Sequence, residues 1–138
     1  MSSAVLYSPE VLGLATRLSE WPWDEAAPLK AQARSKSCGS VIDLGLSVDR
    51  EGRIERVHVR SHACAIGQSA AAIFASHAQG LNRADVEAAL SQIDTWLSGE
   101  GNTPDWPGLD AIARARDYPG RHAAILLAWR AAADCLSS

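Results

Sequence analysis

The sequence has 138 residues, of which 47% are hydrophobic and 21% charged, a composition typical of one globular domain and not of a disordered chain. The formal net charge is −3, and the 13 basic residues form no dense cluster, so a nucleic-acid-binding protein is not expected. No run approaches the roughly 18 apolar residues that cross a bilayer. Polar and charged residues interrupt positions 8–17, so the N-terminus does not resemble a signal peptide.

The numbers of alanines and cysteines indicate how the core packs and whether disulfides are expected. Alanine accounts for 25 residues, against 28 for Leu, Ile and Val together and a single Phe. We therefore expect close, alanine-lined helix contacts instead of bulky packing. The cysteines Cys38, Cys64 and Cys135 are an odd number in a chain without an export signal. Reduced thiols in the cytoplasm are therefore expected, not a disulfide framework.

The first predicted elements are a helix and three strands. Ser8 at the N-cap, Pro9 at the first helical position and an acidic residue in the first turn predict a helix over residues 8–20. Apolar and polar residues then alternate with a period of two in three segments, at residues 29–34, 42–48 and 56–60. Gly52 lies where the connection between the last two needs a positive φ. The pattern predicts a three-stranded antiparallel meander.

A helical period returns in the second half of the chain, at residues 66–77, 86–97 and 121–135. Asn82 with Asp85 three residues later is typical of a capped helix start. Pro107 is expected at the first position of a short helix, and residues 117–120 are expected to form a turn. The order of elements predicts a single α+β domain over residues 1–138, with the N-terminal and C-terminal helices packed on one face of the sheet.

Two cysteines occupy positions where thiols could carry chemistry. Cys38 lies in the connection between the first two strands, and Cys64 lies between the third strand and the next helix. An antiparallel meander can bring both to the same end of the sheet, where the helix start and nearby Arg60 or His62 would stabilise a thiolate. Metal ligation and sulfur transfer both need a thiolate. The spacing matches no compact zinc motif, so two buried structural thiols fit it equally well.

The sequence around these cysteines resembles the NifU/IscU family of iron–sulfur cluster scaffolds. That family has a Cys-Gly-Asp motif before one strand and a Gly-Cys followed by a small-residue-rich helix after the next, and Cys38-Gly39-Ser40 and the segment 62–70 occupy these places. Residues 121–129 are similar to the family's last helix. The resemblance covers residues 28–136. The 60 residues from Cys64 to the third-cysteine position make the chain more similar to the Suf-type scaffolds than to the Isc type.

The chain departs from the family's ligand set, which the resemblance gives as three cysteines with an aspartate or a nearby histidine. Ser40 stands where the aspartate belongs, and Ala124 where the third cysteine belongs. Cys38 and Cys64 carry over as sulfur acceptors and ligands. A zinc ion or a [2Fe-2S] cluster normally needs four protein ligands, so two thiolates are too few for tight binding by one chain.

Other side chains are candidates to complete the set. Ser40, His62 and His122 are expected as weaker helpers. His62 shares a strand face with Cys64. His122, two residues before Ala124, lies about 200° around the helix and faces the site only if the helix begins later than predicted. Cys135 lies eleven residues past Ala124, which is about 16 Å along a helix, and is expected to be a passive thiol.

The resemblance implies a cytoplasmic, non-enzymatic scaffold for iron–sulfur cluster assembly. It would accept sulfur and iron on Cys38 and Cys64, with a cysteine desulfurase and recipient apo-proteins as partners and a transient [2Fe-2S] cluster or zinc as cofactor. The alternative is a degenerate family member that binds no cluster and acts as an adaptor or modulator of a desulfurase or scaffold. A Cys–His hydrolase using Cys64 with His62 or His122 is weaker, because nothing marks an oxyanion hole or an orienting group beyond the helix start. A homo-oligomer that shares ligands between chains stays open.

Overall fold

The computed structural model describes residues 6–36 and 38–137. Within them lie three strands, β1 (Leu29–Arg34), β2 (Val41–Val48) and β3 (Ile54–His62), and four α-helices, α1 (Pro9–Thr16), α2 (Ala65–His77), α3 (Arg83–Leu97) and α4 (His122–Leu136). Three 3-10 helices in the described residues span Arg17–Glu20, Leu109–Asp117 and Pro119–Arg121. The strands form one antiparallel sheet in the order β1-β2-β3, so the predicted α+β meander is confirmed.

The N-terminal helix forms as predicted, although its last turn is tighter than an α-helix. The Ser8 side chain accepts the backbone N–H of Val11 at 3.2 Å, and Pro9 occupies the first helical position. Residues 17–20 continue the helix in 3-10 geometry. Helix α1 lies against α2, where the Ser69 hydroxyl lies 2.6 Å from the carbonyl oxygen of Val11.

The strand register decides which parts of the chain meet at the end of the sheet. Arg34 at the end of β1 pairs with Val41 at the start of β2, and Val41 pairs with His62 at the end of β3. The loop after β1 and the segment after β3 therefore leave the sheet at the same end. At the opposite end, Gly52 adopts the predicted positive φ, at 78°.

The core lies between one face of the sheet and the helices. Ile42, Leu44 and Leu46 of β2 are fully buried on this face, and α4 packs on β1 and β2. Alanines line the helix contacts as expected, at positions 70, 71, 72 and 75 of α2 and 124, 128, 131 and 132 of α4. The expectation that bulky packing is absent was wrong, because the rings of Phe74, Trp106 and Trp129 pack with centroids 5.3–5.6 Å apart. These rings come from three separate segments, which local patterning does not bring together.

The helix ends agree with the sequence at α3 and differ at the next element. Asn82 and Asp85 form the predicted capping box of α3. The short helix that was predicted to begin at Pro107 is a 3-10 helix that begins at Leu109, because Gly108 precedes it in a left-handed conformation. No helix in the described ranges is long and apolar enough to cross a membrane.

The segment that follows α1 covers part of the outer face of the sheet at Gly45. A larger side chain at this position should therefore destabilise the protein. A Cβ added at Gly45 would lie 2.8 Å from the Cβ of Ala27. We expect Gly45→Ala to lower the free energy of unfolding by about 1–3 kcal/mol, measured by urea denaturation. Gly13→Ala is the control: its Cβ would meet nothing within 4 Å, and it should stabilise α1 by about 0.5–1 kcal/mol. Equal midpoints for the two variants would contradict this account of the packing at Gly45.

Candidate functional site

An open cleft of about 530 Å³ lies at the end of the sheet where β1 and β3 end. The residues that line it are Cys38, Gly39, Ser40, Ser61, His62, Ala63, Cys64, Gln68 and Arg121. The structure thus places Cys38 and Cys64 at one cleft, although they are 26 residues apart in the sequence. Ser40 and His62 line the same cleft. The predicted role of these residues as ligands stays a prediction.

The loop after β1 presents the Cys38 thiol to solvent. Its backbone is closed by two hydrogen bonds, from the N–H of Ser35 to the carbonyl of Ser40 at 2.8 Å and from the N–H of Gly39 to the carbonyl of Ser35 at 2.9 Å. Gly39 has a φ of 71°, which a residue with a side chain rarely adopts. Ser35 and Ser40 are buried while Cys38 is exposed, so the loop anchors on the two serines. Ser37, the residue before Cys38, lies outside the described residues.

The same two serines tune the Cys38 thiol. Its sulfur lies 3.1 Å from the Ser40 hydroxyl oxygen and 3.4 Å from that of Ser35. Burial acts to raise the pKa of Cys38, but hydrogen bonds from these hydroxyls and from the Ser40 backbone, with the positive charge of Arg121, outweigh it. The net effect is a pKa below the ordinary value of a cysteine, which favours the nucleophilic thiolate.

Cys64 joins the end of the sheet to α2. It is the N-cap residue of this helix and is half-buried, and the N–H of Gln68 donates to its carbonyl oxygen at 2.9 Å. The first turn of α2 carries no acidic residue. The first N–H groups of α2 have no partner within the helix.

Arg121 is a cleft residue that the sequence reasoning missed. It directly precedes α4, and its charge is attracted to both Cys64 and Cys38. A hydrogen bond to the Tyr7 side chain is the largest influence on its guanidinium and raises its pKa further. The sequence held one signal, because Arg121 lies three residues before Ala124, the third-cysteine position. Only the fold shows that the guanidinium, and not Ala124, lines the cleft.

The remaining sequence candidates lie elsewhere. His122 does not line the cleft, and its Nε2 lies 2.9 Å from the carbonyl oxygen of Arg116 and 3.1 Å from that of Ala115. Cys135 is buried with its sulfur 3.8 Å from the carbonyl oxygen of Leu44, and burial, with the nearby Asp134 charge, raises its pKa to about 11. Its predicted passive character agrees with this setting.

Ala124 is buried where α4 meets α2. A Cβ added at Gly67 would lie 3.5 Å from the Cβ of Ala124 and 3.0 Å from that of Ala63. Ala124 therefore contributes a methyl group to a close helix contact instead of a sulfur to the cleft. Among the described residues, no three His, Cys, Asp or Glu side chains are arranged to hold a metal ion. The side-chain donors at the cleft are two thiols, two serine hydroxyls, a glutamine amide and an exposed imidazole, in which only the thiols and the imidazole are usual zinc ligands.

Comparison with solved structures finds proteins with the same fold, whereas comparison of sequences finds no match. No protein-family model matches the sequence, and no curated protein matches it. A nitrogen-fixing NifU-like protein (N-terminal) from Brucella abortus superposes with a TM-score of 0.86 at 27% identity, over 96% of this chain and 92% of that one. The predicted resemblance to NifU/IscU-type scaffolds is confirmed.

A second solved structure has the same fold as this chain. It is a candidate iron–sulfur cluster assembly scaffold protein for the SUF system from Fervidobacterium islandicum AW-1, with a TM-score of 0.87 and 20% identity. The superposition covers 99% of this chain and 100% of that one, so the segment between Cys64 and α4 has a counterpart in that fold. A hypothetical protein of known structure superposes with a TM-score of 0.72 at 19% identity over 93% of this chain.

We expect the Ser40 hydroxyl to influence how the reactivity of Cys38 depends on pH. Ser40→Ala removes a donor to the thiolate, so the pKa of Cys38 should rise and the thiolate fraction near neutral pH should fall. We expect iodoacetamide to alkylate Cys38 about three- to tenfold more slowly near pH 7, with the two rates converging well above both pKa values.

Ser98→Ala is the matched control, because the Ser98 hydroxyl donates to the carbonyl of Thr95 at the end of α3 and should leave the profile unchanged. Superimposable profiles for Ser40→Ala and the parent protein would show that the hydroxyl does not tune Cys38.

Proposed function

We propose that this protein is a scaffold-like component of iron–sulfur cluster assembly. It accepts sulfur on Cys38 and Cys64 and, with iron, transfers the resulting cluster to apo-proteins. The observation that carries the proposal is the shared, solvent-open cleft of the two thiols, in a chain with the fold of a NifU-like protein. A cysteine desulfurase as sulfur donor, a single-domain organisation and a cytoplasmic location belong to the same proposal.

Sulfur receipt needs only the groups at the cleft and a persulfide donor. The Cys38 thiolate attacks the terminal sulfur of the donor persulfide; a new S–S bond forms at Cys38, the donor's S–S bond breaks, and the donor leaves as a thiolate. The oxidation state of the transferred sulfur is unchanged, so no further oxidant or reductant is required. Exposure of Cys38 and the two serine hydroxyls beside its sulfur suit it to make this attack.

Because this chain offers only two thiolate ligands, it should bind a cluster weakly. Cys38 and Cys64 can supply two of the four ligands that a [2Fe-2S] cluster normally takes, so the remaining ligands come from outside this chain. A second copy of the chain, or a thiol of the donor or recipient, has the required chemistry. Zinc meets the same shortage of ligands. A weak complex suits transfer, because the recipient has fewer bonds to displace.

Anaerobic reconstitution tests the scaffold proposal. With iron, sulfide and excess thiol, the protein should gain visible absorbance, and Cys38→Ser should abolish most of it because one of two protein ligands is lost. Cys135→Ala is the matched control, since this thiol is buried away from the cleft and should not affect the yield. A colourless, iron-free parent protein would contradict the cluster part of the proposal.

A second candidate function is an adaptor or modulator that binds a desulfurase or a scaffold without carrying a cluster. Three observations favour it: Ser40 and Ala124 replace two ligands of the family, and the described residues hold no cluster of three metal-binding side chains. In this case the cleft binds no cluster, and the protein acts through surface contacts with its partner.

Desulfurase binding separates the two candidates. For a scaffold whose thiols engage the donor, the double variant Cys38→Ser/Cys64→Ser should bind a cysteine desulfurase at least about tenfold more weakly in calorimetric titration, because the thiols lie at the point of transfer. Undiminished binding by the double variant, with no sulfur recovered on the parent protein, would establish the adaptor instead.

A further inference from the structure

We propose that Arg121 makes the cleft selective for anionic sulfur donors, such as a deprotonated persulfide, by drawing them towards Cys38 and Cys64. This inference rests on the proposed function for its substrate class. It assigns a specificity-determining residue that lies outside the predicted ligand set, and its test does not require a desulfurase.

The position and partners of Arg121 carry the inference. Among the described residues that line the cleft, it is the one Lys, Arg, Asp or Glu side chain. Its charge is attracted to both thiols, and its hydrogen bond to Tyr7 fixes the guanidinium from the side of the N-terminal segment. No described carboxylate lies within ion-pairing distance of it. Its positive charge is therefore not neutralised within the described part of the chain.

The guanidinium also keeps an unused donor. Arg121 Nε is buried and has no hydrogen-bond partner among the described residues. A buried donor without a partner is costly in a folded protein and is kept where something else supplies the acceptor. The planar guanidinium, with five N–H groups, is suited to bind anions.

Arg60, in the strand that leads to the cleft, shows the opposite arrangement. Its Nε lies 3.0 Å from the Asp43 carboxylate, its Nη1 lies 3.3 Å from Glu25, and its guanidinium lies 4.4 Å from the centre of the Trp23 ring. Arg60 is thus paired with two carboxylates on the outer face of the sheet. The contrast separates a structural arginine from one whose charge is left for a ligand.

The unpaired positive charge of Arg121 would assist the sulfur-transfer reaction. When the Cys38 thiolate approaches a deprotonated persulfide, two negative sulfurs come within bonding distance and repel each other. A guanidinium beside both sulfurs offsets the repulsion throughout the exchange of one S–S bond for another, because the total charge is the same before and after transfer. A neutral donor would gain much less from Arg121.

Two alkylating reagents of similar size test the inference, because iodoacetate is an anion and iodoacetamide is neutral. Rates at Cys38 and Cys64 are followed separately by peptide mass mapping. We expect Arg121→Gln to lower the ratio of the iodoacetate rate to the iodoacetamide rate by about five- to tenfold. A change in thiol ionisation alone would alter both rates by the same factor and leave this ratio unchanged.

Three further variants complete the test. Arg121→Lys keeps the positive charge and should retain most of the ratio. Tyr7→Phe keeps the arginine but removes its anchor, so the ratio should fall less than in Arg121→Gln. Arg130→Gln lowers the net charge equally at an exposed position nine residues further along α4 and should leave the ratio unchanged.

The outcomes distinguish this inference from the proposed function. An unchanged ratio in folded Arg121→Gln, or an equal fall in Arg130→Gln, would overturn the role of Arg121 even if sulfur transfer and cluster assembly succeed. If Arg121→Gln fails to fold, Tyr7→Phe decides, because an unchanged ratio in that variant would also overturn the role of Arg121. A lowered ratio in a protein that assembles no cluster would sustain the anion selectivity and reject the scaffold.

Discussion

The antiparallel register of three strands is the constraint on which the candidate site depends. Because Arg34, Val41 and His62 lie side by side at one end of the sheet, the loop with Cys38 and the helix start with Cys64 are held next to each other. A slip of one residue would turn Ile42, Leu44 and Leu46 out of the core, so core burial fixes the register and with it the meeting of the two thiols.

The thiols of Cys38 and Cys135 differ in reactivity because their surroundings differ. Cys38 is exposed on a loop anchored by two buried serines, whose hydroxyls and the Arg121 charge lower its pKa. Cys135, in an alanine-rich helix against the sheet, has its pKa raised to about 11 by burial, with a smaller contribution from Asp134. The first environment supports a nucleophile, whereas the second keeps a thiol protonated and inert.

The balance between thiols and other ligands links the structure to the proposed function. A closed metal site would have four strong ligands, whereas the cleft has two sulfurs, an exposed imidazole, two hydroxyls, an amide and a guanidinium. The guanidinium can neutralise sulfur anions but cannot ligate a metal. This composition agrees with the proposed function, in which sulfur or a cluster is held briefly, because the cleft offers thiols and a positive charge without enclosing a bound group.

The sequence by itself determined the secondary structure, the strand order and the family resemblance, because alternation with periods of 2 and 3.6, capping residues and glycine positions are local signals. It also indicated that Cys38 and Cys64 would share one end of the sheet. It could not reveal the aromatic cluster around Phe74, the burial of Ala124 against Gly67, or the interaction of the Arg121 guanidinium with Tyr7 and the two thiols. Each of these joins segments far apart in the chain, and only tertiary packing decides which side chains from distant segments come into contact.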